Sequence, residues 1–357
     1  MNKPPEDGNK CLVSISTLLK SLGFSVVENR LNELIVFSQP HKCRYSPLQL
    51  FFMLLIREFR GQSYRQCCSS LSVEDCTSLG FIEISRGEYL IPSPSTLHDF
   101  ARNRLSVDVL KELMLTIGTF VCKYIRNSNA MIDSTPIEAS RYDPYSLYNP
   151  HYGIKMDKLH VFHNGEFPLY ACFSNGTAHD SQFVTDLAQF VSKMEPHLKS
   201  ILMDAAYDSR IIRAELYVAF KMNPHIACRE NAKYSPNGTE LKINQKVNKF
   251  WKEGGDIHKK MEEKLLFLCE HDQKKIVGSY LRNQMMTNPD FEKTYKKRTQ
   301  CERTHAHMKS ILDFTVKRLR NEAKELYIMF RFVTYQVMLL ARLLQQKEKL
   351  QDFSAYY

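Results

Sequence analysis

Apolar residues at helical spacing dominate the first third of the chain. Ser46-Pro47 pairs a capping residue with a first-turn proline, and it precedes apolar positions that continue to Phe59. The same start signal recurs at Ser93-Pro94, and Ser106 precedes a longer apolar-periodic run. This pattern predicts an all-helical N-terminal domain over residues 1–126.

A helical bundle at this position could bind DNA. Arg102 and Arg104 lie near the end of the run that begins at Ser93-Pro94, where a helix-turn-helix would bring basic side chains to phosphates. A purely structural bundle explains the same pattern equally well. We therefore treat residues 1–126 as a helical N-terminal DNA-binding domain by hypothesis, with the two arginines as candidate DNA contacts.

After Asn127 the pattern changes to short apolar runs that favour strands, with helical stretches between the later ones. Asn164-Gly165, between the second and third runs, is typical of a hairpin turn. Residues 183–194 and 211–220 are long enough for crossover helices. The predicted strands are 130–133, 152–162, 167–173, 201–204 and 225–228. The predicted order is three strands followed by a helix, a strand, a helix and a strand. This order predicts an α/β domain with an RNase H-like catalytic core.

Residues 231–290 interrupt this alternation and are predicted to form an inserted subdomain. The segment is rich in lysine, contains Gly254-Gly255, and includes two runs, 265–269 and 275–281, that resemble a hairpin. A helical pattern resumes at Phe291 and bends near Asp313. The predicted organisation is a helical domain at 1–126, a catalytic domain at 127–230 and 291–345, an insertion at 231–290, and a C-terminal tail at 346–357.

The net charge favours a polyanionic partner. Lysine and arginine outnumber acidic residues, giving a formal charge of +10. Cationic side chains that neutralise phosphates release counterions, so such a surplus suits DNA, although charge alone does not identify the partner. Hydrophobic residues make up 43% of the chain, which is enough for a substantial core.

Cysteine usage and the chain start indicate a cytoplasmic, nucleoid-associated protein. The ten cysteines include no C-x-x-C pair, and residues 1–10 lack the features of a signal peptide. The apolar stretch 326–344 is interrupted by Arg331 and Arg342, so a buried helix is favoured over a membrane span. We expect no membrane partner.

Two carboxylates follow apolar runs that are predicted to be strands. Asp133 ends the run Ala130–Ile132, and Asp204 ends the run Ile201–Met203. Open α/β sheets bind ligands at the carboxyl ends of their strands, and a desolvated carboxylate there needs a compensating cation. Either residue could also be a solvated turn residue or a helix cap.

A third acid lies in the helical stretch after the insertion. At about 100° per residue, Tyr295, Arg298, Glu302 and Lys309 fall within roughly 60° of one another on one side of a helix. A solvated helix face usually alternates charges as ion pairs, whereas here a single acid lies among phosphate-type donors. The stripe favours a metal ligand flanked by phosphate contacts.

The spacing of these four residues, Tyr-x2-Arg-x3-Glu-x6-Lys, resembles the Tyr-Arg-Glu-Lys signature of insertion-sequence transposases, and in particular the insertion-sequence-four family. Ile132-Asp133-Ser134-Thr135 and residues 204–209 are similar to the sequences around the first two acids of those enzymes. The resemblance covers about residues 127–345. It implies an RNase H-like core with an Asp-Asp-Glu triad, interrupted by an insertion between the second Asp and the Glu.

The triad suits two-metal phosphodiester chemistry. In-line hydrolysis needs an activated water on one side and stabilisation of the departing 3′ oxygen on the other, which two Mg²⁺ or Mn²⁺ ions about 4 Å apart can supply. We expect Asp133 to bridge both ions, and Asp204 and Glu302 to complete one each. These three residues are therefore the predicted catalytic and metal-binding groups.

The same resemblance implies the DNA contacts. Arg298 and Lys309 would hold backbone phosphates, and Tyr295 would position a nucleotide near the scissile bond. Trp251 lies in the insertion, where family members use an aromatic side chain to stack on a flipped base of the transposon end. A small local hydrophobic cluster is the alternative for Trp251.

The sequence thus predicts a DNA transposase that cleaves the inverted-repeat ends of an insertion sequence and transfers the strands into target DNA. The resemblance implies a homodimer in a paired-end complex. Two alternatives remain: a domesticated or catalytically silent DNA-binding protein derived from a transposase, and an RNase H-like nuclease that hydrolyses without joining. The intact triad argues against the first, and the Tyr-Arg-Glu-Lys pattern argues against the second.

Overall fold

The N-terminal part of the chain is built mainly from short capped helices. The structure, a computed structural model, describes residues 23–37, 43–125, 128–229, 270–286, 288–315 and 321–354. The first elements are α1 Gly23–Leu34, α2 Pro47–Phe59, α3 Tyr64–Ser69, α4 Val73–Ser78, β1 Glu83–Ser85, β2 Glu88–Tyr89, α5 Pro94–Asn103 and α6 Val107–Cys122.

Serine caps fix the helix starts that the sequence predicts. Ser46 accepts a hydrogen bond from the backbone nitrogen of Gln49, whose side chain accepts one from the backbone of Ser46 in return. Ser93 caps α5, and Ser106 accepts from the backbone nitrogen of Val109 at the start of α6. The predicted starts at Ser46-Pro47, Ser93-Pro94 and Ser106 are therefore confirmed.

The segment is not purely helical, because β1 and β2 form a two-stranded antiparallel hairpin. Gly87 in its turn has a positive φ of 80°. The prediction of an all-helical segment missed this hairpin. Strands of three and two residues are too short to produce a recognisable alternation of polar and apolar positions.

A mixed sheet with flanking helices follows. Its elements are β3 Asn129–Glu138, β4 Leu147–Asn149, β5 Ile154–Asn164, β6 Phe167–Asn175, α7 Val184–Ser192, β7 Ser200–Met203, α8 Arg210–Val218, β8 Asn223–Ile226 and α9 Glu270–Met286. Three strands, a helix, a strand, a helix and a strand occur in the predicted order, with the short β4 in addition. The predicted hairpin turn at Asn164-Gly165 is also confirmed, with Gly165 at a φ of 61°.

The strand order is β4-β5-β3-β7-β8, and β6 also pairs with β5. Strand β5 is antiparallel to β3 and β6, whereas β3, β7 and β8 are mutually parallel. In the parallel register Met131 lies opposite Leu202. Two positions further along, Asp133 in β3 and Asp204 after β7 therefore lie side by side, and β3 continues past this point to Glu138.

Helix α9 corrects one prediction. Residues 275–281, predicted as one strand of a hairpin, are helical, and the other run, 265–269, lies outside the described residues. The β-branched pair Ile276-Val277 suggested a strand, but Ile276 and Tyr280 are four apart and both buried, as a helix requires. This helix packs against α8.

The C-terminal part contains α10 Phe291–Tyr295, α11 Thr299–Ile311 and α12 Asn321–Ser354. A 3₁₀ turn at Lys296–Arg298 separates α10 from α11, so the prediction of one continuous helix from Phe291 is wrong at this point. The hydroxyl of Thr299 donates to the carbonyl of Lys296 at 3.0 Å and so competes for a helical acceptor. The predicted bend near Asp313 is confirmed, since α11 ends two residues earlier.

The chain divides into two compact units. One comprises Met1–Val121 and His307–Tyr357, and the other comprises Cys122–Ala306. In the first unit, Arg331 on α12 forms a buried ion pair with Glu58 on α2 at 2.8 Å. Phe330 packs edge-on against Phe51, with ring centroids 5.7 Å apart.

Among the described residues, one helical stretch, Glu322–Gln346, is long and apolar enough to cross a membrane by length and composition. Of its most apolar window, 72% is buried inside the protein. The interpretation of residues 326–344 as a buried helix is therefore confirmed.

Candidate active site

The parallel register of β3 and β7 brings the first two predicted acids side by side. Asp133 lies in β3 opposite Val161 of β5, and Asp204 directly follows β7, which runs parallel to β3. Asp204 accepts a hydrogen bond from the backbone nitrogen of Ala206 at 2.8 Å and so caps the 3₁₀ turn Ala205–Tyr207. This cap sets the direction of the chain as it leaves the sheet.

Arg298 links the first acid to the third. Its Nη1 lies 3.6 Å from Oδ1 of Asp133, and its Nη2 lies 2.5 Å from Oε1 of Glu302, four residues further along. The side chains of Asp133 and Arg298 are 13% and 18% exposed, whereas that of Glu302 is 50% exposed. One arginine therefore bridges a buried acid and a half-exposed one.

The electrostatics of Asp133 are those of a buried carboxylate among like charges. Burial raises the pKa of Asp133 from 3.8 to about 6. The positive charge of Arg298 opposes this rise, and the negative charges of Asp204 and Glu302 add to it. All three predicted catalytic acids therefore interact electrostatically at this site.

The residues present fit a divalent cation in donor chemistry and in charge. Carboxylate oxygens are hard ligands of the kind that Mg²⁺ and Mn²⁺ prefer, and a desolvated carboxylate beside like charges favours a nearby cation. Within the described part of the chain, no group of three His, Cys, Asp or Glu side chains is arranged to hold one ion. Glu302 is paired with Arg298 instead, so it would have to exchange this partner for a metal ion.

A thiol and an imidazole lie near the second oxygen of Asp133. The Sγ atom of Cys301 lies 3.6 Å from Oδ2, and Nδ1 of His305 lies 3.8 Å from the same atom. The Nε2 atoms of His305 and His163 are 3.1 Å apart. Burial raises the pKa of Cys301 and, with the adjacent His305, holds that of His163 well below its usual value. A thiol and an imidazole therefore line the side of Asp133 that faces away from Arg298.

The sequence patterns assigned Cys301 and His305 no role beside Asp133. The available signal was their position on the same helix as Glu302, one residue before it and three residues after it. Their link to Asp133 depends on tertiary packing, which the spacing alone does not give.

Tyr207 was missed by the sequence analysis. Its side chain is 1% exposed, and within the described residues its hydroxyl has no hydrogen-bond partner. Burial raises the pKa of Tyr207 well above its usual value, and the charges of Asp180, Asp133 and Asp204 add to the shift. A buried phenol without a partner thus lies near several carboxylates. Its position three residues after Asp204 was the signal that could have identified it.

Asp180 is a further acid near this site. It pairs with Lys158 at 2.8 Å and lies 3.7 Å from Nδ1 of the buried His160. The ring of His160 stacks on Phe183 at 4.0 Å. These contacts hold Asp180 at the start of the segment that leads into α7.

Tyr295 is part of an aromatic stack beside Arg298. Its ring stacks on Phe291 at 5.3 Å, and Phe291 is parallel to His225 at 6.3 Å. The guanidinium carbon of Arg298 lies 5.9 Å from the centre of the Tyr295 ring. Despite the 3₁₀ turn, Tyr295, Arg298 and Glu302 thus remain neighbours.

The remaining predicted DNA contacts are Lys309, Arg102, Arg104 and Trp251. Lys309 lies in the last turn of α11, and burial lowers its pKa. Arg102 and Arg104 are exposed at the end of α5, with Arg104 5.6 Å from the centre of the Phe37 ring. Trp251 lies outside the described residues. Their roles in DNA binding stay predictions.

Comparisons with known proteins identify the family. A family model described as "Transposase DDE domain" matches residues 128–336, which is more than half of the chain. The chain belongs to this family and is a transposase, an enzyme that binds DNA, cleaves its strands and transfers them. Enzymes of this family generally depend on divalent metal ions.

One solved structure is also similar, the Mos1 transposase paired-end complex with left transposon end. It has 14% identity and a TM-score of 0.21, with 76% of this chain and 80% of that chain covered. The comparison with curated proteins gives no match.

Proposed function

We propose that the chain is the transposase of an insertion sequence of the insertion-sequence-four type, which cleaves the inverted-repeat ends of its element and joins them to target DNA. The observation that carries the proposal is the bridge from Asp133 through Arg298 to Glu302, with the charge of Asp204 acting on the same carboxylate. This arrangement unites the Arg and Glu of the Tyr-Arg-Glu-Lys pattern with both aspartates.

The fold supports the same assignment. The strands follow the order β6-β5-β3-β7-β8. The first three pair antiparallel and the last three pair parallel, which suits an RNase H-like core. Asp133 in the central strand β3 and Asp204 after the neighbouring strand β7 occupy the edge where such sheets bind ligands.

Asp133, Asp204 and Glu302 would hold the divalent ions. When bound, two Mg²⁺ or Mn²⁺ ions would supply the charge that activates water and stabilises the departing 3′ oxygen. The protein side chains position the DNA: Arg298 binds a backbone phosphate once Glu302 has released it, and Tyr295 orients a nucleotide beside it.

Further DNA contacts are part of the proposal. Lys309 would bind a second phosphate, Trp251 would stack on a flipped base, and Arg102 and Arg104 would contact the transposon end. Two copies of the chain would pair two ends in one complex, as a cut-and-paste reaction requires.

A plasmid assay tests the proposal. Supercoiled DNA that carries the element's own ends is incubated with Mg²⁺ and either the wild-type protein or the Asp133→Asn, Asp204→Asn and Glu302→Gln variants. We expect the wild-type protein to cut at the ends and join them to target DNA. We expect the variants to bind these ends without cutting. Asp186→Asn, which changes an exposed acid on α7, is the matched control and should cut normally.

The assay also separates the two alternatives. Binding without cleavage by the wild-type protein would indicate a silent DNA-binding protein. Cleavage without joined products would indicate a nuclease. Normal cutting by all three active-site variants would overturn the assignment of the triad.

A further inference from the structure

Exposed tyrosines are concentrated in one short segment between β3 and β5. Tyr142, Tyr145, Tyr148 and Tyr152 are 72%, 51%, 59% and 48% exposed. Leu147 in the same segment is 47% exposed. Large apolar side chains at such density on a surface mark a site of interaction. We call the four tyrosines the tyrosine surface.

The backbone beneath the tyrosine surface is held by buried polar side chains. Asp143 is 1% exposed and accepts hydrogen bonds from the backbone nitrogens of Tyr145 and Ser146 at 2.9 and 3.3 Å. Ser146 in turn donates its hydroxyl to the buried Asp157 at 2.8 Å. The exposure of the tyrosines therefore belongs to a well-anchored segment.

Asn149 anchors the other half of the segment. Its amide nitrogen donates to the carbonyl of Gly176 at 2.7 Å, and its oxygen accepts from the backbone nitrogen of His151 at 2.9 Å. Tyr148 lies in β4 opposite Lys155 of β5. Two anchors thus hold the backbone that carries the rings before any partner binds, which lowers the entropy lost on binding.

Cationic side chains lie beside these rings. The guanidinium carbon of Arg141 is 4.6 Å from the centre of the Tyr142 ring, and the ammonium of Lys155 donates to the carbonyl of Asp143 at 2.9 Å. The ring of His151 packs edge-on against Tyr152 at 5.0 Å. Aromatic faces interleaved with positive charge are the combination that binds single-stranded nucleic acid, since rings stack on bases and cations meet phosphates.

One member of the tyrosine surface, Tyr152 just before β5, interacts electrostatically with the catalytic acids. Besides burial, the charges of Asp180, Asp133 and Asp204 raise the pKa of Tyr152. Tyr152 therefore lies within electrostatic range of the carboxylates at the edge of the sheet. A strand whose scissile phosphate is bound there would pass close to this ring.

We infer that the tyrosine surface stacks on unpaired bases of the DNA strand that carries the scissile phosphate. The inference rests on the proposed function and adds a second base-binding region, distinct from Trp251 in the insertion. Paired bases inside a duplex offer no free faces, so the surface requires bases that have separated next to the cut. Stacking tolerates any sequence, so we expect this surface to bind bases with little sequence preference.

A fluorescent base analogue tests the inference independently of cleavage. 2-Aminopurine loses fluorescence when it stacks on an aromatic ring, so single-stranded DNA with a central 2-aminopurine reports stacking directly. The full-length proteins to compare are the wild type, Tyr148→Ala/Tyr152→Ala and Tyr148→Phe/Tyr152→Phe. Tyr124→Ala, which removes a 40% exposed tyrosine outside the segment, is the matched control.

We expect wild-type protein, the phenylalanine variant and the Tyr124 control to quench the probe with similar affinity. We expect the alanine variant to bind about tenfold more weakly, in line with the loss of base stacking on aromatic side chains. The phenylalanine variant changes the same two positions but keeps the rings. Normal quenching by this variant would therefore show that the weaker binding of the alanine variant comes from the loss of the rings. Equal quenching by wild type and alanine variant would overturn the inference.

Two other results have defined meanings. If the alanine variant loses self-association in sedimentation experiments while its quenching is unchanged, the surface is an interface between copies of the chain and the inference is wrong. If the wild-type protein quenches the probe yet never cuts a plasmid that carries the element's ends, the tyrosine surface stands and the proposed transposition reaction fails.

Discussion

The guanidinium of Arg298 lies 3.6 Å from Oδ1 of Asp133, so this largely buried acid has a positive partner. That partner does not fully offset burial, because the pKa of Asp133 is still raised to about 6. A carboxylate whose pKa is higher in the folded protein than in the unfolded chain is charged at the expense of stability. The charged form of Asp133 therefore lowers the free energy of unfolding, and a bound cation would reduce this loss.

This relationship predicts that Asp133→Asn stabilises the protein in EDTA at pH 8. The folded pKa of about 6 exceeds the reference value of 3.8. As far as Asp133 is concerned, the free energy of unfolding is therefore highest below pH 3.8 and falls as the pH rises through 6. Two pKa units correspond to about 3 kcal/mol, and the amide keeps part of the desolvation cost, so we expect a gain on the order of 2 kcal/mol. Urea unfolding measures it.

The advantage of Asp133→Asn should shrink as pH falls toward 5, because the wild-type carboxylate then takes up a proton. Asp186→Asn, at an exposed position, should leave the stability unchanged at both pH values. A loss of stability in Asp133→Asn at pH 8 would contradict the prediction.

The unpartnered hydroxyl of Tyr207 predicts a variant that is more stable and less active. Burying a hydroxyl without a hydrogen bond costs free energy, so Tyr207→Phe should raise the free energy of unfolding by about 1 kcal/mol. The charges of Asp133 and Asp204 act on the same hydroxyl. We expect a DNA phosphate bound at these acids to give the hydroxyl the acceptor that it lacks, so its loss should slow DNA cleavage roughly tenfold, the worth of one hydrogen bond to a charged group.

Denaturant unfolding and cleavage kinetics on the same Tyr207→Phe preparation test both effects. If the hydroxyl has no role in cleavage, the variant will gain stability and keep its cleavage rate. If the hydroxyl stabilises the fold, the variant will lose both stability and cleavage rate. Either result would remove Tyr207 from the candidate site.

The buried His160 predicts a specific loss of stability in acid. Burial lowers its pKa from 6.5 to about 4, and the charge of Lys158 acts in the same direction, whereas Asp180 opposes them. The folded protein therefore needs the neutral ring, and stability falls as pH drops from 6.5 toward 4. Between pH 7.5 and 5 this one residue should account for about 2 kcal/mol.

The comparison that isolates this effect is wild type against His160→Gln, an amide that can still bond to Ser174. The absolute stability of the variant is not the readout, because it also loses the stacking on Phe183. We expect the variant to lose less stability than wild type between the two pH values. Parallel losses would show that His160 does not titrate as its burial requires.

The sheet was predictable because its elements leave local signals. Asn164-Gly165 marks a hairpin turn, and the runs that end at Asp133 and Asp204 have the length and composition of buried strands. Those signals place Asp204 directly after its strand, as the structure has it, but they end the first strand at Asp133, whereas β3 continues to Glu138. They do not place Arg298 against Asp133, because that ion pair joins segments that meet only when the chain is folded.

Local sequence patterns gave wrong predictions where the same residue composition fits both a strand and a helix. The run from Ile276 to Leu281 has a β-branched start, yet it forms the middle of α9 because its apolar residues pack on α8. The 3₁₀ turn before Thr299 could not be predicted, because the spacing from Tyr295 to Glu302 also fits a continuous α-helix. Tyr207 escaped notice because nothing in a sequence tells a turn residue with a buried hydroxyl from one exposed to water.

Gly278 provides a sharp test of the packing between α8 and α9. A Cβ atom at this position would lie 1.8 Å from the carbonyl oxygen of Arg210 and 2.4 Å from its carbonyl carbon, so backbone would have to move. Helix propensity alone predicts that Gly278→Ala stabilises the protein by about 1 kcal/mol. The close approach predicts the opposite sign, a loss of roughly 1–3 kcal/mol typical of overpacked sites.

The sign of the change therefore distinguishes the two effects in one urea titration. His271→Ala, at an exposed position of the same helix, is the control and should change stability by less than about 0.5 kcal/mol. Because α8 follows directly from the turn that Asp204 caps, Gly278→Ala should also slow DNA cleavage. A stabilised Gly278→Ala protein would show that α9 does not pack on α8 at the distance described.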